Sequence, residues 1–226
     1  MLKDLLKTCR PHQWVKNFFV LAPLFFAGKL FDTDKVLLGL WGALIFSLLS
    51  SAVYFINDTL DKADDAKHPI KKNRPIAAGR IQPWLAYLCV CVLAASSLSA
   101  AFWLNTGFGT ICSIYAALNL AYSVGLKRVF LLDIVIVATG FLLRVYAGSK
   151  VANVPVSPWI LSCTFFLALY LALGKRISES RTRRAGIDAS RRKLSSYTEN
   201  WTIPAMWNLQ GIIVTLYTLY TVMPAG

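Results

Sequence analysis

The sequence predicts an all-helical, polytopic membrane bundle, and three observations carry that reading. Of 226 residues, 56% are hydrophobic and only 15% are charged, with a mean hydropathy of +0.53. A soluble domain of this length has too little interior to hide so much apolar surface. Apolar runs long enough to cross a bilayer recur along the whole chain. The cations gather between alternate runs rather than spreading evenly.

Taken in order, the first apolar stretch is Phe18–Leu30. It is short, contains Pro23 and follows Lys16 and Asn17, so it is expected to enter the bilayer obliquely. The next runs are Val36–Ile56, Trp84–Leu104, Phe108–Val124, Val129–Gly148, Pro158–Gly174 and Ile203–Pro224. Each has the length of a membrane helix, which makes seven expected spans in one domain, residues 1–226. The N-terminal region lacks the small-residue cleavage site of a signal peptide, and further apolar runs follow it.

The net charge of +13 would suit a nucleic-acid binder, but its distribution excludes that class. Twenty of the 24 lysines and arginines lie before the first span or in the connections after the second, fourth and sixth. Seven alternating helices put all of these on one side. The positive-inside rule then assigns the N-terminus and these connections to the cytoplasm. A basic run, Arg181–Lys193, lies on that side and would suit anionic headgroups, although a plain positive-inside loop explains it as well. The five cysteines are odd in number and four fall within spans, which gives neither a disulfide framework nor a metal spacing.

The polar chemistry is concentrated in "NDTLDKADDAKHPIKKNRPIAAG", Asn57 to Gly79, which follows the second span directly. If that helix continues past Ile56, then Asn57, Asp58, Asp61, Asp64 and Asp65 point into an arc of about 120° at about 100° per residue. Pro69 disfavours helix at His68 and is expected to end it there. Carboxylates crowded on one face repel one another unless cations compensate. An all-oxygen donor set suits a hard divalent ion, Mg2+ first and Mn2+ as its substitute, and not zinc. Lys71, Lys72 and Arg74 supply what a phosphate group requires. The stretch therefore reads as a diphosphate–Mg2+ site at the membrane surface. The plainer alternative is a solvated helix end whose aspartates pair with neighbouring lysines.

A second constellation is "YSVGLKRVFLLD", Tyr122 to Asp133. Asp133 is expected about one turn inside the fifth span, and a carboxylate there is a functional candidate by default. Arg144, eleven residues on, shares its helical face at a distance of about 16 Å along the axis. The plain alternatives are a helix cap or an ion pair with Lys127 for Asp133, and snorkelling for Arg144. A third signal is "RPHQWVKN", Arg10 to Asn17, at the mouth of the first span.

These motifs, with "GFLLRVYAG" and "LALGKR", resemble the UbiA-type superfamily of intramembrane prenyltransferases, whose first motif is N-D-x-x-D-x-x-x-D. Within it they are most similar to the branch that transfers phosphoribosyl to decaprenyl phosphate. The resemblance implies an Mg2+-dependent transfer of 5-phosphoribosyl from phosphoribosyl diphosphate to a polyprenyl phosphate, with release of diphosphate, for cell-wall arabinan precursors. It implies a multi-pass protein of the inner (plasma) membrane. Asp58, Asp61 and Asp65 would hold the metal, with Asn57 in support. His68, Lys71, Lys72 and Arg74 would bind substrate phosphate, and Tyr122, Lys127 and Asp133 would line the donor pocket. Arg10, Gln13, Lys16 and Asn17 would meet the acceptor phosphate, and Arg144 completes the substrate-binding set. The expected partners are these two substrates, the bilayer and a second copy of the chain.

Two departures from the family pattern matter. The second acidic motif common among aromatic prenyltransferases, D-x-x-x-D, is half absent, because Val137 stands where the second aspartate belongs. This favours the phosphoribosyl branch over an aromatic or quinone prenyltransferase. The family carries about nine helices and seven are read here, so the last two are expected to be missing. The alternative of another class is a non-catalytic transporter or lipid-binding protein, which the surface position of the acidic cluster disfavours.

Overall fold

The computed structural model describes residues 1–184 and 196–222, which are all helix, turn and loop with no strand among them. The helices are α1 (Leu2–Cys9), α2 (Ala22–Phe26), α3 (Thr33–Leu60), α4 (Lys62–Ala66), α5 (Pro83–Leu104), α6 (Thr106–Val124), α7 (Leu132–Val151), α8 (Pro158–Arg184) and α9 (Glu199–Val222). Five have the length and hydropathy to cross a membrane: α3, α5, α6, α7 and Pro158–Arg181 of α8. Long apolar side chains such as Leu40, Trp41, Leu88, Val92 and Trp103 remain exposed on these helices, as lipid-facing surface requires and water-facing surface does not. The sixth long helix, α9, has 24 residues with Pro204 inside it. Of the basic run, Arg191, Arg192 and Lys193 lie outside the described residues.

The expected first span is corrected in position and kind. Residues Pro11–Leu21 form a 3-10 helix of eleven residues, and α2 continues it to Phe26. The helical segment thus begins at Pro11, not Phe18, and ends at Phe26. A 3-10 helix rises about 2.0 Å per residue against about 1.5 Å for an α-helix. Sixteen residues therefore reach about 30 Å, the thickness of the hydrocarbon layer. Pro11 opens the segment where its missing N–H costs no bond.

The described residues pack as two compact units. The first comprises Met1–Val124 with Leu143–Pro155. Its core joins Phe46, Leu49, Phe108, Cys112 and Tyr115 to Leu143, Ala147 and Val151 of α7. Close approach is bought by small residues: a Cβ on Gly148 would lie 1.8 Å from the carbonyl oxygen of Val20. A second cluster, Phe55, Ile76, Ile81 and Ala86, seats the connection after α4 on the end of α3. The second unit comprises Gly125–Leu142 with Val156–Gly226. Its described core is Ile134, Leu173 and Tyr197, flanked by Trp201, Met206 and Leu209.

Candidate active site

The helix carrying the acidic motif does not run unbroken to His68. It ends at Leu60, Asp61 sits at the break with φ −89° and ψ 3°, and α4 restarts at Lys62. The shared arc expected for five residues is corrected accordingly. Asp58 and Asp65 are buried, Asn57 and Asp61 are half-buried, and Asp64 is exposed.

Asp58 and Asp65 converge on one nitrogen. Arg74 Nη1 lies 3.0 Å from Asp58 Oδ1 and 2.6 Å from Asp65 Oδ2. Arg10 Nη2 reaches the same Asp58 oxygen at 2.5 Å, and its guanidinium lies over the Tyr54 ring. The carboxylates are thus compensated, as their crowding demands, and the compensation comes from two guanidiniums. Arg74, expected among the phosphate-holding cations, stands on the carboxylates instead. Lys71 and Lys72 follow in a 3-10 turn, Lys71–Asn73, which places Lys72 at the surface.

His68 is buried, and its Nδ1 accepts from the backbone amides of Ile70 and Lys71 at 3.1 and 3.3 Å. It braces the turn that delivers Arg74. Arg80 ties this connection to α1 by donating to Asp4 (2.9 Å) and to the carbonyl of Asn73 (3.0 Å). The Arg80 guanidinium beside Asp4 holds its carboxyl below the usual range.

The fit of a divalent cation rests on donor chemistry. One point lies within 3.0 Å of both Asp58 and Asp65, so the pair can embrace a single cationic centre. The side-chain oxygen of Asn57 is buried without a hydrogen-bond partner, which leaves a further hard donor next in sequence to Asp58. Among the described residues, no three His, Cys, Asp or Glu side chains are grouped as a metal site. The donor set that fits is therefore two carboxylates with an amide oxygen, with Asp61 at the adjoining break.

Gln13 is half-buried and Lys16 exposed, but Asn17 does not join Arg10 at the mouth. The 3-10 rise carries it deep along α3. There Asn17 Nδ2 donates to Ser47 Oγ (3.0 Å) and Ser50 Oγ (3.2 Å), and its Oδ1 accepts from Arg144 Nε at 2.8 Å. Arg144 also donates to the Tyr115 hydroxyl at 2.9 Å and stacks over Phe46 and Tyr115. Arg144 is 6% exposed, so it does not snorkel.

In the second unit, Asp133 lies in the first turn of α7 and is buried. Arg176 Nε is 2.7 Å from Asp133 Oδ2, and the Tyr197 hydroxyl donates to Asp133 Oδ1 at 2.5 Å. The same hydroxyl accepts from the Leu131 amide (3.3 Å), where the backbone takes a left-handed φ of 64°. Arg176 is shared with Glu179 at 2.7 Å. Burial, and then the Asp133 carboxylate, pushes the Tyr197 phenol up from its ordinary value. Lys127, in the turn Leu126–Arg128, is half-buried in this unit, and Tyr122 is half-buried in the first. Sequence reasoning missed Arg176, Glu179 and Tyr197. The available signal was that "GKRISES" continues α8 ten residues past Gly174.

Two converging carboxylates, flanking guanidiniums and an unsatisfied amide oxygen thus meet at the end of a membrane helix. Residues 17–225 match the model of the UbiA prenyltransferase family. The chain belongs to the UbiA prenyltransferase family. It is accordingly an integral membrane transferase. A protein of Mycolicibacterium smegmatis named decaprenyl-phosphate phosphoribosyltransferase is 37% identical over 228 residues, covering 97% of this chain and 70% of that one. A protein of the same name from Mycobacterium tuberculosis is 37% identical over 220 residues, covering 96% and 72%. In fold, the chain is similar to a UbiA homolog from Archaeoglobus fulgidus solved bound to GPP and Mg2+. The TM-score is 0.80 at 21% identity, over 99% of this chain and 79% of that one.

Proposed function

We propose that this UbiA-family chain transfers 5-phosphoribosyl from phosphoribosyl diphosphate to a polyprenyl phosphate, releasing diphosphate. The observation that carries the reading is the Asp58–Arg74–Asp65 bridge with Arg10 beside it, in a chain 37% identical to two proteins named for that transfer. The residues suit the chemistry. Breaking the bond at the sugar C1 builds negative charge on the departing diphosphate, and preorganised cations stabilise it. The acceptor phosphate is already largely ionised near neutral pH, so no side chain must remove a proton from it.

Asp58, Asp65 and Asp61, with Asn57 in support, are the residues that would hold Mg2+. When bound, that ion neutralises charge gathering on the leaving group. Lys71 and Lys72 orient phosphate oxygens around that position, while Arg10 and Arg74 hold the carboxylates in place. Tyr122 contributes to the donor pocket on the first unit, and within the second unit Arg176 and Tyr197 fix Asp133. The reading puts the N-terminus and the acidic segment in the cytoplasm, at the plasma membrane, where a soluble sugar diphosphate is available.

The decisive test supplies purified protein with Mg2+, a polyprenyl phosphate and phosphoribosyl diphosphate labelled in the sugar. A labelled lipid is expected, and chelation should suppress it. Turnover of a prenyl diphosphate with 4-hydroxybenzoate, and no labelled lipid, would overturn the proposal.

A further inference from the structure

The eleven-residue 3-10 helix Pro11–Leu21 is far longer than the three or four residues such helices usually reach. Its contacts along α3 define a register. Arg10 meets Asp58, Trp14 Nε1 donates to Ser51 Oγ at 3.1 Å, and Asn17 meets Ser47 and Ser50. Leu21 and Leu24 lie against Gly39, and the backbone of Val20 presses on Gly148. From Asp58 back to Gly39, α3 descends about 28 Å at about 1.5 Å per residue. From Arg10 to Leu24 the chain has fewer residues. It keeps pace only because it rises about 2.0 Å per residue through the 3-10 stretch. Wound as an α-helix, the ten residues between Val20 and Arg10 would shorten by about 5 Å. Arg10 would then be withdrawn from Asp58 by about one helical turn.

Something must hold the stretched form. Asn17, near the middle of the segment and 1% exposed, spends its whole side chain on three bonds: two to the serines of α3 and one from Arg144. Arg144 is a cation buried among apolar helices, an expensive placement. It is anchored on its far side by Tyr115 and the ring faces of Phe46 and Tyr115. The geometry points to Asn17, tied to Ser47 and Ser50 of α3, as a positioning residue that keeps the 3-10 segment extended and so presents Arg10 to Asp58. It acts through Arg10 and does not itself touch the acidic site. The inference is independent of which substrates the site takes.

The test reads the register directly. Nitroxide labels go on cysteines replacing His12 and Leu60, both exposed, in a background lacking the native cysteines. Pulsed dipolar spectroscopy of the protein in nanodiscs should give one narrow distance. Asn17→Leu is expected to lengthen it, or to add a second population longer by about 5 Å. Tyr115→Phe loosens Arg144 without touching the segment and should leave the distance unchanged, although both variants lower the unfolding temperature. The double variant Ser47→Ala/Ser50→Ala removes the two ties to α3 and leaves the Arg144 bond to Asn17, and it should shift the distance as Asn17→Leu does. An unchanged distance in both segment variants would sink the inference, as would an equal shift in Tyr115→Phe.

Discussion

At the scale of single residues, burial separates the four aspartates that the motif makes look alike. Asp58 and Asp65 are buried and share Arg74, whereas Asp64 is exposed. Asp58→Asn should therefore lower the transfer rate at least a hundredfold, and Asp64→Asn should stay within about twofold; each lost charge-assisted contact accounts for about 1.5–3 kcal/mol. The measurement is turnover at saturating substrates, with unfolding temperature as the control for insertion. Equal losses in the two variants would mean that charge density, and not the buried pair, is what matters. Tyr197 gives a pH-dependent counterpart. Burial and the neighbouring Asp133 raise its phenol. Its contribution to stability is thus fully present below the unfolded value near 10 and is lost only as pH rises through the higher folded value. The wild-type minus Tyr197→Phe ultraviolet spectrum should accordingly show no phenolate band at pH about 10.5, where an ordinary tyrosine is mostly ionised.

At the scale of elements, glycine positions test the packing that sets helix spacing. A methyl on Gly148 would meet the Val20 carbonyl at 1.8 Å, and that obstacle is backbone, which cannot rotate aside. Gly148→Ala should destabilise by more than the roughly 1–3 kcal/mol usual for overpacking. Gly211, in α9, has nothing within 4 Å of its added Cβ, so Gly211→Ala should leave stability equal or raise it by up to about 1 kcal/mol. Thermal unfolding in one detergent orders the two variants, and a more stable Gly148→Ala would contradict the contact. These elements also show what the sequence made legible. Apolar length located α3, α5, α6, α7 and α8, because hydropathy over about twenty residues is a property of composition alone. The break at Asp61 and the 3-10 segment were not legible. Residue spacing read at 100° presupposes an unbroken α-helix, and Asn17, which the family resemblance groups with Arg10, is found beside Ser47, Ser50 and Arg144. Likewise, nothing local in the sequence links Asp133 to Arg176 and Tyr197, dozens of residues away, whereas the contiguous N-D-x-x-D-x-x-x-D motif could be read directly.

At the scale of the whole molecule, topology follows from charge and from the count of crossings. Pro11–Phe26 reaches about 30 Å because of its 3-10 rise, so it can serve as a crossing despite its few residues. Counted with the five helices of spanning length and hydropathy and with α9, it would give the odd number of spans that the charge pattern requires. Lysines and arginines then fall in the connections Asp61–Gln82 and Gly125–Leu131 and in the one joining α8 to α9, and the one-residue link between α5 and α6 carries none. Positive charge is retained on the cytoplasmic side, so Lys72 should be cytoplasmic and Lys150, at the end of α7, should lie on the opposite face. Both are exposed, which makes them suitable reporters. A single cysteine at each position, in a background without the native five, is treated in intact cells with a membrane-impermeant maleimide. Position 150 should label in intact cells and position 72 only after permeabilisation. The reverse pattern would invert the protein and remove its acidic segment from the compartment that supplies soluble sugar diphosphates. Labelling of both positions in intact cells would instead break the alternation of α5, α6 and α7, the three helices between them.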